Sequence, residues 1–155
     1  MKKYTDAMNM TADRRLEKLL LQRRAPLSQD GMHSVLQDLT LHMTTDVTFA
    51  AAVFPKKEAL SKIEITTGEI DRADIMLGTD NERYFPVFTT IERLRNWKPA
   101  LKEGEYFYLM KKEDLLEFLQ NNPLTAATVV NPGEDGLLLY RMQLQNLIQV
   151  QKENA

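Results

Sequence analysis

The hydrophobic periodicity of this chain changes near residue 47, and that change restricts its fold more than any other feature. Before it, apolar residues recur at helical spacing. Leu16, Leu19 and Leu20 share one face of a helix expected over 12–24, with Thr11 or Asp13 as its start and Pro26 ending it. After a break at 28–31, Met32, Val35, Leu36, Leu39 and Met43 form a second helical stripe. From Val47 onward the apolar runs are short, rich in β-branched and aromatic residues, and separated by Gly, Pro and Asn. Helices first and mixed strands afterwards predict an α+β fold. We expect a mostly antiparallel mixed sheet of about five to six strands, with the N-terminal helices and short helices packed on it.

The individual segments read as follows. Val47 to Phe54 is a buried strand ending at Pro55, although its alanine run leaves a helix as a rival. Lys62 to Thr67 alternates charged and β-branched residues and stops at Gly68, as a strand would. Asp74 to Leu77 and Arg83 to Phe88 flank the polar loop 78–82 and form a hairpin. Pro86 marks an edge or a bulge in its second strand. Thr89 and Glu92 have the spacing of a capping box that starts a short helix ending near Trp97. Gly104 precedes a strand over 105–110, and Glu113 and Asp114 open a helix that Asn121-Asn122-Pro123 closes. Ala127 to Val130 and Leu137 to Tyr140 are strands joined by a turn over 131–136. Leu144, Leu147 and Ile148 place a terminal amphipathic helix, free to pack on its own sheet or on a second copy.

Composition narrows the chemistry. The chain has 155 residues, no cysteine and two histidines, and neither a repeat nor a low-complexity tract divides it. A single domain is expected over 1–155, with a basic helical arm at 1–26 and an α+β body at 27–155. The arm carries seven basic and three acidic residues, so its net charge of +4 faces −6 on the body. Such a helix invites nucleic acid, but no aromatics interleave its charges and the whole chain is slightly acidic; a solvated face of a packed helix is the better reading. Without cysteine there is no disulfide, thiol nucleophile or cysteine-held metal. His33 and His42 stand nine residues apart, on opposite faces of an ideal helix, and cannot share a metal there. The carboxylates Glu69, Asp71 and Asp74 are the densest outside the helices, but Arg72 sits among them and they do not follow calcium-loop spacing.

No phosphate-binding glycine loop, dinucleotide fingerprint or nucleophile elbow occurs, so no catalytic residue, metal ligand or cofactor is assigned. Gly133 and Gly136 form a lone Gly-x-x-Gly between two apparent strands, which is a turn rather than an RNA clamp. The longest apolar run covers six residues, 49–54, far short of a membrane helix, and no signal peptide opens the chain. A complete, soluble, cytoplasmic protein is therefore expected.

The most distinctive stretch, 83–97, sets two Phe, Tyr84 and the only Trp beside three arginines around a strand-to-helix turn. Aromatics and arginine anchor interfaces. Tyr84, Phe88, Thr89, Thr90, Arg93, Arg95 and Trp97, with Asn131 in the later turn, are the candidate binding residues. They suggest a non-enzymatic binding or protein-interaction module, with an unknown protein or a second copy as partner. The alternative is a metabolite binder or enzyme with a pocket at the strand ends near Thr89 and Asn131. Core filling by the same aromatics is compatible with either.

The same stretch resembles the SseB N-terminal domain family. Similar features are Tyr84-Phe85-Pro86-Val87-Phe88-Thr89 leading to a helix that reaches Trp97, the helix Asp114-Leu115-Leu116-Glu117-Phe118-Leu119, and Val129-Val130-Asn131-Pro132-Gly133. Phe49 to Pro55 matches the family's early strand, and the similarity runs in order over roughly residues 12 to 148. The resemblance implies a bacterial α+β protein of a family named for an enhanced-serine-sensitivity phenotype, with no established catalytic residues to carry over. The charged segment Lys56 to Asp71 departs from the family pattern.

Overall fold

The computed structural model describes residues 1–4, 13–133 and 136–155. The expected helix start at Thr11, and Glu134 and Asp135 of the expected turn, lie outside them. The described elements run β1 (Lys2–Lys3), α1 (Arg14–Arg24), α2 (Gln29–Met43), β2 (Thr48–Pro55), β3 (Ile70–Arg72), β4 (Met76–Leu77), β5 (Arg83–Val87) and α3 (Ile91–Trp97), followed by β6 (Tyr106–Lys111), α4 (Lys112–Asn121), β7 (Ala127–Val130), β8 (Leu137–Tyr140) and α5 (Arg141–Glu153).

The fold is α+β, but its strands divide between two four-stranded sheets rather than a single sheet of five or six. One has the order β1-β6-β2-β3 and the other β4-β5-β7-β8. Every pairing is antiparallel except β5 with β7. That parallel pair needs a long crossover, which β6 and α4 provide. The sheets meet where Phe88 and Ala50 exchange backbone hydrogen bonds of 2.9 and 2.8 Å.

Strand β2 explains the alanine run. Phe49, Ala51 and Val53 join the main core with Leu16, Leu19 and Leu20 of α1, while Ala50 faces a second cluster with Phe88, Ile91 and Leu94. Small side chains on that second face give α3 room against the strand. The basic arm is not helical throughout: Lys2 and Lys3 form β1, and the bases of α1 belong to a helix that buries Leu16, Leu19 and Leu20 fully in the body and leaves Leu21 half exposed. Asp13 caps α1 by accepting from the Leu16 N–H at 2.9 Å, and its carboxylate oxygens lie 2.9 and 3.0 Å from His42 Nε2. His33 is exposed, apart from that pair.

Two local expectations are corrected. Lys62 to Thr67 is not a strand: a single bridge joins Glu64 to Lys2, and Thr67–Glu69 forms a short 3-10 turn closed by the Glu69 carboxylate on the Thr66 N–H. With only the two-residue β1 beside it, the alternating pattern has too little partner strand to pair with. The cap of α3 is Thr90, whose hydroxyl accepts from the Arg93 N–H at 3.2 Å, and not Thr89. Helix α5 packs against α4 and β8 of its own chain, burying Leu144 and Ile148. Among the described residues no helix is long and apolar enough to cross a membrane.

Candidate functional site

The segment 83–97 runs from β5 through the junction of the sheets into α3. Alternation along β5 sends Tyr84 into a cluster with Ala127 and Val129, and sends Phe85 to the main core, where it stacks on Phe118 with centroids 4.2 Å apart. The Tyr84 hydroxyl donates to Asp80 in the hairpin loop. That bond holds the phenol's pKa far above its ordinary value and the Asp80 carboxyl below its own. Tyr84 therefore ties the hairpin shut. Pro86 sits beyond the two β5 residues that β4 pairs, at the edge its lack of an N–H suits.

Thr89 and Asn131 bind each other. The Thr89 N–H donates to Asn131 Oδ1, and Asn131 Nδ2 donates to the Thr89 hydroxyl, both at 3.1 Å. Asn131 takes a positive φ of 51°, a region Asn tolerates, and its own N–H extends the β5–β7 pairing by donating to Val87 O at 2.9 Å. Both side chains are buried, so the pair locks the ends of two parallel strands together.

What reaches the surface comes from α3. Trp97 is 46% exposed, although its ring lies 6.1 Å from Phe88, tilted at 48°. Arg93 is half-buried and its Nε donates to the Glu17 carboxylate of α1, while the Arg95 guanidinium stands 5.3 Å over the Tyr4 ring. A cleft opens on each side of Trp97. One of about 260 Å³ is lined by Phe88, Arg93, Asn96, Asn131, Pro132 and Gly133 together with Trp97. Gly133, at φ 83°, leaves the space beside Trp97 open: a Cβ there would meet the ring edge at 3.5 Å. The other, of about 230 Å³, is walled by Pro86, Phe88, Leu94 and Trp97 and ends at Asp74 and Lys98.

Lys98 carries the charge beneath that second cleft. Its ammonium donates to Asp74 at 2.8 Å and to the buried Glu105, whose other oxygen accepts from the Lys102 N–H at 3.0 Å. Burial works against the ammonium, but the hydrogen bonds to Asp74 and Glu105 outweigh it and raise its pKa above the ordinary lysine value. Lys102 and then Lys98 hold the Asp74 carboxyl below its ordinary range.

Of the eight candidates, Tyr84, Phe88, Thr89, Thr90 and Asn131 are buried and shape the site from within; Arg93, Arg95 and Trp97 reach its surface. The residues missed in the sequence are Glu17, Lys98, Glu105 and Gly133. Only Gly133 left a local signal, as a turn glycine; the others depend on contacts across the chain. The carboxylates at 69, 71 and 74 do not converge, since Glu69 pairs with Lys62, Asp71 with Arg72 and Asp74 with Lys98 and Lys102. Among the described residues no cluster of three or more His, Asp or Glu side chains is placed to hold a metal ion.

The SseB protein N-terminal domain model matches residues 16–146, most of the chain and all of the site except Tyr4. This chain belongs to the SseB N-terminal domain family. The match covers α1 as well as the strand-to-helix stretch, so Glu17 and its partner Arg93 both lie inside the SseB domain. No curated protein and no solved structure gives a significant match.

Proposed function

We propose that this SseB domain is a cytoplasmic, non-enzymatic binding module that recognises a protein partner through the surface around Trp97. One observation carries the reading: a tryptophan 46% exposed, backed by Phe88 and flanked by two clefts, with a half-buried arginine beside it. A rigid aromatic anchor next to clefts the size of single side chains is the arrangement that concentrates binding energy at interfaces. The ion pair with Glu17 holds Arg93 in place, which lowers the entropy lost when a partner docks.

The rival reading, a metabolite pocket or enzyme at Thr89 and Asn131, has less support. Those two side chains are buried against each other, and the cleft beside them falls below the usual volume of a small-molecule site, about 300 Å³ or more. A Trp97→Ala, Arg93→Ala double variant, tested in affinity purification from native lysate, separates the two. Loss of specific partners with an unchanged fold by circular dichroism is expected. An unchanged partner set rejects the surface.

A further inference from the structure

A polar cavity of about 340 Å³ lies between β3, the chain after β2 and the C-terminal end of α4, and shares no lining residue with the clefts at Trp97. Thr67 is on its wall, 5% exposed, and among the described residues the Thr67 hydroxyl has no hydrogen-bond partner. An unsatisfied buried hydroxyl costs about 1–3 kcal/mol, so such a group signals a missing partner.

The surrounding charges indicate which partner. Lys56 lines the cavity and has no ion pair among the described residues. Arg72 lines it too, stacked over the Phe54 ring at 4.0 Å and only loosely paired with Asp71 at 3.6 Å, both side chains being mostly exposed. The end of α4 would ordinarily favour a cation through its bare carbonyls. Here they are taken: Phe118 O accepts from Asn122 Nδ2 at 2.8 Å, and Arg141 donates to Leu119 O at 2.6 Å and Asn122 O at 3.1 Å. The remaining polar side chains on the wall are the Lys56 ammonium, the Arg72 guanidinium, the Thr67 hydroxyl and the Asn121 and Asn122 carboxamides, against a single carboxylate, Asp71, which lies 3.6 Å from Arg72. The volume exceeds that of a bare ion and reaches the low end of small-molecule sites.

We propose that this cavity binds the phosphate group of a small anionic molecule, through Lys56, Arg72 and the Thr67 hydroxyl. The test is an amide-shift titration of the full 15N-labelled chain with inorganic phosphate and, separately, with glycerol 3-phosphate, ionic strength being held constant with sodium chloride. Saturable shifts at Thr67, Gly68, Arg72 and Asn121 are expected, and Lys56→Ala and Thr67→Val should each weaken binding by about tenfold or more. Saturation by both probes supports a site for the free ion, and saturation by the ester alone a phosphomonoester. Thr67→Val also raises the unliganded melting temperature, because it removes the unpartnered hydroxyl at nearly constant volume, and this confirms that the variant folds. Shifts that stay linear and match those in chloride, or a folded Thr67→Val chain with wild-type affinity, overturn the proposal.

Discussion

Replacing Lys98 by Met tests the charge network beneath the second cleft. The substitution keeps the apolar stem and removes the ammonium, leaving Glu105 with only the Lys102 N–H. Glu105 is 2% exposed, so its carboxylate loses the cation that offsets its desolvation. Breaking a fully buried pair from one side costs about 3–5 kcal/mol. The Lys98 side chain is 17% exposed and water reaches part of it, which places the expected loss near the lower end, about 3 kcal/mol. At about 2–4 °C per kcal/mol for a domain of this size, the melting temperature should fall by about 6–12 °C. Glu105→Gln should cost about 1–3 kcal/mol, because its single amide oxygen accepts from either Lys98 or the Lys102 N–H but not from both, while Lys98 keeps Asp74. The double variant should be more stable than Lys98→Met alone, since it leaves no buried charge. Urea unfolding of the four proteins measures all three quantities. A Lys98→Met chain within 1 kcal/mol of wild type, or an additive double variant, would falsify the claim that Glu105 depends on Lys98.

The buried Tyr108 hydroxyl has no hydrogen-bond partner among the described residues, and burial pushes its pKa up to about 12. Its folded form therefore keeps the proton longer than the unfolded chain, so stability should be lost as pH climbs from about 10 towards 12; Tyr108→Phe should be as stable as wild type at pH 7 and lose less on alkaline titration by circular dichroism. At the acid end, Glu69 (chiefly through Lys62), Asp74 (through Lys102 and Lys98) and Asp80 (through Tyr84) all have lowered pKa values. The unfolded chain takes up protons first, so melting temperature should hold down to about pH 5 and fall as pH drops through 4.5 and 3.8, the ordinary values of Glu and Asp. A flat profile down to pH 3 would contradict that assignment.

The stretch that forms the candidate site is visible in the sequence, but which of its side chains reach the surface is not. Of the eight residues that the sequence offers as binding candidates, Arg93, Arg95 and Trp97 reach the surface and the other five are buried. The misreadings have local causes. Thr89 has the spacing of a cap with Glu92, but its hydroxyl is taken by Asn131, 42 positions away, and the next threonine caps instead. Lys62 to Thr67 alternates as a strand does, yet alternation describes one edge only and cannot show that a partner strand is two residues long.

The sequence by itself determined the α+β class, the helix and strand positions other than 62–67 and the short β1 and β3, the hairpin at 78–82 and the family, because side-chain periodicity, caps and turn residues act over a few positions. Tertiary structure alone decided the rest. It split the strands into two sheets, made β5 and β7 parallel, and turned Ala50 into the floor under α3. It also joined Glu17 to Arg93 and Glu105 to Lys98. Strand direction and charge pairing depend on which distant segments meet, and no local pattern records that meeting.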